Sequence, residues 1–194
     1  MLLANMAPFN HFDFLAPIYD RLVRPSDPTR LINLLGLPSS GILLDIGGGT
    51  GRISYPLVKT TAGVVIADSS LGMLTQANKK DGLVTLCSES ERLPFEDNVF
   101  EREMMVDALH HVSDYQLTTH EMWRVLKSGG RIVVEEPDID MMPIKVMALI
   151  EKLALMRSHF ISPARIAASF GHPTAVVSIV RESSTVWIVI DKRE

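Results

Sequence analysis

One cysteine, Cys87, stands in the whole chain. That excludes a disulfide framework and any zinc or iron–sulfur site built on several thiolates. Long apolar runs are missing too. The longest unbroken ones reach about six residues, as at Ala62 to Ala67, against the ~20 that a membrane-spanning helix needs, so stable membrane insertion is not expected. The start, MLLANMAPFNHFDFLAP, has no basic segment and carries Asp13 and two prolines, a poor match to a secretory signal. No block of Lys or Arg occurs, and the formal net charge of −4 argues against nucleic acid or an anionic membrane as partner. These absences point to a reducing, cytoplasmic setting. What is present is a globular composition: 194 residues, 46% hydrophobic and 22% charged, enough for a single domain with a full core.

Short apolar runs alternate with helical patterns, the sign of an α/β fold. Residues 1–26 form a lead-in segment. Asp27 to Leu35 reads as a helix, with Asp27 as cap, Pro28 in the first turn and Gly36 at the end. Gly41 to Ile46 is an apolar strand of the doubly buried kind, and Arg52 to Lys59 a short helix with Pro56 early in it. Gly63 to Ala67 is a second strand ending at Asp68. Ser69 or Ser70 caps a helix through Asn78. Gly82 to Cys87 is a third strand, with Cys87 expected in the core. Phe100 to Ala108 is a fourth, diluted by Glu101, Arg102 and Glu103. Asp114 caps a helix through Lys127, ended by Gly129 and Gly130. Arg131 to Glu135 is a fifth strand. Residues 137–174 read as a helical insertion, with helices over Met141 to Phe160 and from Ser162 to Gly171. Ala175 to Val180 and Thr185 to Ile190 close the chain as a hairpin linked by Arg181 to Ser184.

Ligands of open parallel sheets bind at the carboxyl ends of the strands. The loop after the first strand reads Asp45-Ile-Gly47-Gly48-Gly49-Thr50-Gly51, where glycines let a ligand approach the backbone closely. A dinucleotide fingerprint counted from Gly47 needs glycine or alanine at the position of Arg52, and a P-loop needs a Gly-Lys-Ser/Thr that the chain lacks. Asp68, about 20 residues beyond the loop, is placed to accept both hydroxyls of a ribose.

These segments together resemble a known family. LLDIGGGTGR and VVIADSSLGML, followed by ESERLPFEDNVFE, VDALHHVSD and WRVLKSGGRIVV, are similar to the class I S-adenosylmethionine-dependent methyltransferases, in the branch that includes the ubiquinone/menaquinone C-methyltransferases. The resemblance covers Phe12 to Lys192. It implies a three-layer Rossmann-like α/β sandwich whose seven-stranded, mostly parallel sheet has the order 3-2-1-4-5-7-6 and a C-terminal antiparallel hairpin. It implies S-adenosyl-L-methionine as cofactor. Asp45, Gly47, Gly49 and Gly51 would face its methionine part, with Gly48 and Thr50 close by. Asp68 would hold the ribose, Ser69 and Met73 would flank the adenine, and Glu89 and Ser90 fill the family's acidic adenine segment. Asp107 would lie beside the cofactor, and Tyr19 of the Tyr19-Asp20 pair would fold over it. The chain departs from the family at Glu89 and Ser90, where Asp and Ala are usual, at Glu101 for Asp, and at Ser128, where proline is usual. It is also shorter than most quinone methyltransferases.

The implied sheet order makes strands four and five neighbours, which brings His110 and His111 near Glu135 and Glu136. A histidine beside a carboxylate is a candidate base near neutral pH. Asp107, the histidines and the glutamates are metal-ligand types, but the acidic pattern of magnesium-dependent methyltransferases is absent and no metal is expected. Nucleic-acid methylation is disfavoured, because Asp107-Ala-Leu-His110 stands where Asn/Asp-Pro-Pro-aromatic would be and Leu86 precedes Cys87 in place of proline. The expected function is methyl transfer to a small-molecule acceptor, at carbon or oxygen. Met141 to Phe170 and the first 25 residues would shape the acceptor pocket. A cofactor-binding module without transferase activity is the alternative; a nicotinamide oxidoreductase is weakened by Arg52. Oligomeric state is left open.

Overall fold

The computed structural model describes residues 11–22, 27–145 and 159–194. Seven strands form one sheet in the order β3-β2-β1-β4-β5-β7-β6: β1 Ile42–Ile46, β2 Gly63–Asp68, β3 Leu83–Cys87, β4 Phe100–Val106, β5 Leu126–Pro137, β6 Ala175–Glu182 and β7 Thr185–Lys192. The first five run parallel, and β7 pairs antiparallel with both β5 and β6. Helices α1 His11–Leu22, α2 Thr29–Leu35, α3 Leu71–Ala77, α4 Tyr115–Val125 and α5 Pro163–Ser169 connect or cover them. The expected order and hairpin are both present.

Successive residues of a strand point to opposite faces, and here both faces are buried. Leu44, Met105, Ile132 and Val134 pack against Met122 and Trp123 of α4 and Ile166 of α5. Their strand neighbours Leu43, Met104 and Val133 pack on the other side against Leu31 and Leu35 of α2. Helix ends follow local chemistry. Ser70 caps α3 by accepting from the Met73 amide at 3.1 Å, and Asp114 caps α4 by accepting from the Gln116 and Leu117 amides. Asp27 takes the Thr29 amide at 2.9 Å, and Gly36 ends α2 at φ 65°.

Several expected boundaries move. Residues 55–60 form a 3-10 turn in place of a short α-helix. α4 stops at Val125, and β5 begins at once, so Gly129 and Gly130 lie inside a strand. Phe100 pairs with Leu126 and Arg102 with Arg131, so residues 127–130 bulge out opposite Glu101. The charges that dilute β4 have separate fates. Arg102 Nε donates to the Leu35 carbonyl at 2.8 Å, and Arg131 to that of Leu34 at 3.1 Å, which satisfies carbonyls left open where α2 ends. Glu103 is fully buried. The hairpin turn is shorter than expected, because Arg181 and Glu182 belong to β6. Cys87 is exposed, not in the core: β3 is an edge strand, and Cys87 is its last residue. Of the helix expected over Met141 to Phe160, residues 142–145 are helical and 146–158 lie outside the described residues.

Candidate functional site

A cavity of about 240 Å³ opens at the carboxyl ends of β1, β2 and β4. The loop after β1 forms its floor. Gly49 holds φ 55°, a left-handed conformation that favours glycine, and in that pose its amide donates to Asp68 Oδ2 at 2.8 Å. Asp68 Oδ1 accepts from the Ser70 amide at 2.7 Å. The carboxylate is thereby fixed by two backbone donors, and its remaining lone pairs are available to a diol. Burial holds its pKa above the ordinary value against those two bonds.

Asp45 lies deeper. Burial pushes its carboxyl up to about 7, with the Ser54 hydroxyl and Arg52 pulling the other way and the Asp68 charge adding to the rise. Neither Asp45 Oδ2 nor Ser54 Oγ completes a hydrogen bond among the described residues. Asp107 closes β4 at φ 51°, unusual for a non-glycine residue, with its amide donating to the Glu135 carbonyl at 3.0 Å.

The structure brings nearly all the expected residues together. Tyr19, Asp45, Gly47, Gly48, Gly49 and Thr50 line the cavity on one side, and Asp68, Ser69 and Met73 on the next. Glu89, Ser90, Asp107 and His111 complete it. Two do not face it. Gly51 is turned away: a Cβ there would meet Leu83 Cδ1 at 2.5 Å and Ile66 Cδ1 at 2.9 Å, so its role is close packing of the loop on the sheet. His110 is buried beneath the cavity wall, its Nδ1 2.6 Å from Glu136 Oε2 and its ring stacked on Phe160 at 4.6 Å. The two histidines share a 3-10 turn and their rings touch, with centroids 4.0 Å apart. Glu136 fixes that turn, since its Oε1 accepts from the Ala108 and Leu109 amides at 3.1 and 2.8 Å. His111 is desolvated, and its pKa falls to about 4 with the help of neighbouring His110; its imidazole is neutral at pH 7.

Three residues are additions to the expected set, and a fourth, Glu136, stands beside the histidines as the implied sheet order requires. Ser88 lines the cavity with a buried hydroxyl that has no hydrogen-bond partner among the described residues. Glu91 accepts from the Ser113 and Asp114 amides at 2.8 and 3.1 Å, tying the segment after β3 to the start of α4. Glu136 holds the histidine turn. Arg52, read from the sequence only as a break in a dinucleotide fingerprint, lines the cavity with its guanidinium 3.9 Å from Asp107 Oδ2 and 5.9 Å from the Tyr19 ring centre. Its only signal in the sequence is a cation directly after the glycine loop.

α1 is strapped across the loop by two aspartates. Asp13 Oδ1 accepts from Ser70 Oγ at 2.6 Å and from the Gly72 amide at 2.8 Å. Asp20 accepts from Thr50 Oγ1 and from Lys80 Nζ, which also donates to the Thr50 carbonyl at 2.6 Å.

The lining carries Asp45, Asp68, Glu89, Glu91 and Asp107 against the single strong cation Arg52. S-adenosylmethionine has a sulfonium, an ammonium, one carboxylate, a ribose diol and an adenine. The acid-rich wall matches the two positive groups, Arg52 the carboxylate, Asp68 the diol, and the buried Ser88 hydroxyl a hydrogen-bonding base edge. The residues present fit the group.

Comparison with known proteins agrees. The family described as "Methyltransferase domain" matches residues 44–134. A demethylmenaquinone methyltransferase of Mycolicibacterium vanbaalenii is 31% identical over 187 residues, covering 89% of this chain and 79% of its own length. Another, of Corynebacterium urealyticum, is 32% identical over 168 residues, covering 87% and 68%. Among solved structures, a SAM-dependent methyltransferase of Thermotoga maritima superposes with a TM-score of 0.77 at 22% identity, over 94% of this chain and 98% of the other.

Proposed function

The chain belongs to the S-adenosylmethionine-dependent methyltransferases, and we propose that it methylates a carbon or oxygen atom of a small-molecule acceptor. S-adenosylmethionine supplies an electrophilic methyl group on a positively charged sulfur. The chain's own task is to hold that cofactor, orient the acceptor and keep water out. In this reading Asp68 holds the ribose and Ser88, Glu89 and Ser90 the adenine edge, with Met73 and Ser69 beside the ring. Asp45 and the loop from Gly47 to Thr50 hold the ammonium side of the methionine part, Arg52 its carboxylate, and Tyr19 and Asp107 close over it.

His111 is the group that meets the acceptor. Its neutral ring offers a hydrogen bond to an acceptor oxygen without adding positive charge beside the sulfonium. His110 and Glu136 position it from below. The relatives are named demethylmenaquinone methyltransferases, so a quinone-derived ring is the first acceptor class to try. No helix among the described residues is long and apolar enough to cross a membrane, which supports a cytoplasmic placement.

The observation that carries this reading is the clasp of Gly49 and Asp68 in an acid-rich cavity with one arginine. Calorimetric titration with S-adenosylmethionine, S-adenosylhomocysteine and NAD tests it. Binding of the first two, followed by transfer of a labelled methyl group to a member of a quinol and phenol panel, is the expected result. Binding of NAD alone would overturn it, and cofactor binding without transfer to any member would favour a binding module.

A further inference from the structure

The turn that carries His111 is gripped by carboxylates on both flanks. Glu136 of β5 takes the Ala108 and Leu109 amides before it. Glu91 takes the Ser113 and Asp114 amides after it, both on Oε1. Local sequence does not provide the second grip. Asp114 is the N-cap of α4, and a capping box would return a Glu or Gln from three residues on to the N-cap amide. Leu117 stands there instead, exposed. Glu91 takes that amide from another element, the segment after β3, where it lines the cofactor cavity beside Glu89 and Ser90. Its second oxygen meets Ser90. Ser90 Oγ donates to Glu91 Oε2 at 3.1 Å and lies 3.0 Å from the Thr118 hydroxyl, which also reaches the Asp114 carbonyl at 3.0 Å. Each hydroxyl has one proton to give, so two protons serve three contacts. Either Ser90 donates to Glu91, or it turns away and Glu91 Oε2 loses that bond.

We propose that Glu91 is a positioning residue for His111, and that it answers to the adenine end of the cofactor through the Ser90 hydroxyl. With the cavity empty, Ser90 donates to Glu91 Oε2. An adenine ring nitrogen beside Ser90 is a second acceptor for the same proton. When it takes that proton, the carboxylate charge is left to the Ser113 and Asp114 amides alone, and bonds from backbone amides to an ionised carboxylate are the strong kind. The grip on the turn tightens, and His111 is held in place when the adenine end is filled. The proposal rests on the reading above in which Ser90 meets the adenine and His111 the acceptor.

Nitrogen-15 NMR of the full chain labelled at histidine tests it. His111 is one of six histidines, and its ring signals are assigned with His111→Asn. The probe is adenosine, which carries the adenine and ribose without the methionine part. The expected result in the wild type is a saturable shift of the His111 ring resonances. Glu91→Gln keeps an oxygen for the two amides but sets an N–H donor against Ser90. It should fold, bind adenosine within about threefold of wild type by calorimetry, and lose the shift. Ser90→Ala, which leaves Glu91 on its two amides and removes the shared proton, is the second variant and should lose the shift at saturating adenosine too. A shift retained in either variant would make Glu91 a structural brace only. A wild-type His111 that adenosine leaves in place would do the same, and a larger loss of adenosine affinity in Glu91→Gln would make Glu91 a ligand of the nucleoside. Each of these overturns the proposal and leaves the cofactor reading intact. A wild-type chain that binds neither adenosine nor S-adenosylhomocysteine would overturn that reading and the proposal with it.

Discussion

Glu136 Oε2 and His110 Nδ1 meet at 2.6 Å with side chains only 4% and 7% exposed. The same carboxylate takes the Ala108 and Leu109 amides on its other oxygen, so one buried group fixes both the turn after β4 and the ring behind His111. Glu136→Ala should leave these donors unsatisfied and destabilise the fold by about 3 kcal/mol in denaturant unfolding. Glu136→Gln keeps an acceptor for the turn and alters only the partner of His110. It should fold, bind S-adenosylhomocysteine as wild type does, and lose kcat by about tenfold or more, with a changed pH profile. Unchanged kcat would reduce the pair to a structural element.

Asp68 carries the next prediction. Its oxygens are held by the Gly49 and Ser70 amides and face the cavity. Asp68→Ala removes the ribose acceptors and the anchor of Gly49 together. Charged hydrogen bonds are worth about 1.5–3 kcal/mol each, so calorimetry should show a loss of S-adenosylhomocysteine affinity of about 100-fold. Asp68→Asn, which keeps one acceptor, should lose less.

How far this site could be read from the chain differs residue by residue. The glycine loop, Asp68, the Ser70 cap and the Asp114 cap are local chemistry, written within a few neighbouring residues. Tertiary facts are not written that way. The end of α4 was obscured because Leu126 and Lys127 continue its pattern until Gly129, and only pairing with Phe100 turns them into a strand. Cys87 reads as core until the sheet order places β3 at an edge. His110 and His111 are equivalent in sequence, yet their touching rings have different surroundings, His111 lining the cavity and His110 held by Glu136. Arg52 gains meaning only when the fold sets it against Tyr19 and Asp107.

Asp20 links α1 to the cofactor loop through Thr50 and Lys80, and Asp13 caps α3 from the same helix. If α1 is the strap over the cofactor, Asp20→Ala should speed dissociation of S-adenosylhomocysteine by about tenfold, equivalent to about 1.4 kcal/mol. Stopped-flow chase measures it. The half-exposed Lys80 contact makes part of this effect salt-sensitive.

Asp45 makes cofactor binding depend on pH. Its pKa is raised to about 7 by burial, so in the cofactor-free protein it is largely protonated at pH 6. An ammonium beside it favours the ionised form; binding should therefore release a proton, and affinity should rise between pH 5.5 and 7.5. Calorimetry in buffers of different ionisation enthalpy detects that proton, and Asp45→Asn should abolish both the release and the pH slope. The stability sign is opposite. A carboxyl raised in the fold contributes stability that is fully present below its unfolded pKa and lost as pH rises through about 7, so the cofactor-free chain should melt lower at pH 8 than at pH 6.

Glu103 tests the same sign away from the site. It sits in the middle of β4, fully buried, with both carboxyl oxygens unpartnered among the described residues. Burial holds its pKa well above the ordinary value, and the nearby charges of Lys192 and Arg124 pull it down only in part. Its contribution to stability is therefore present at acid pH and lost as pH climbs through the raised pKa. Replacing a buried ionisable group with an apolar one of similar volume is often neutral or stabilising, by about 1–4 kcal/mol. Glu103→Met should raise the denaturation midpoint at pH 8 and flatten the decline of stability toward alkaline pH, with S-adenosylhomocysteine affinity unchanged. A loss of stability at every pH would show that the carboxyl, through Lys192 and Arg124, holds the α4 face of the sheet together.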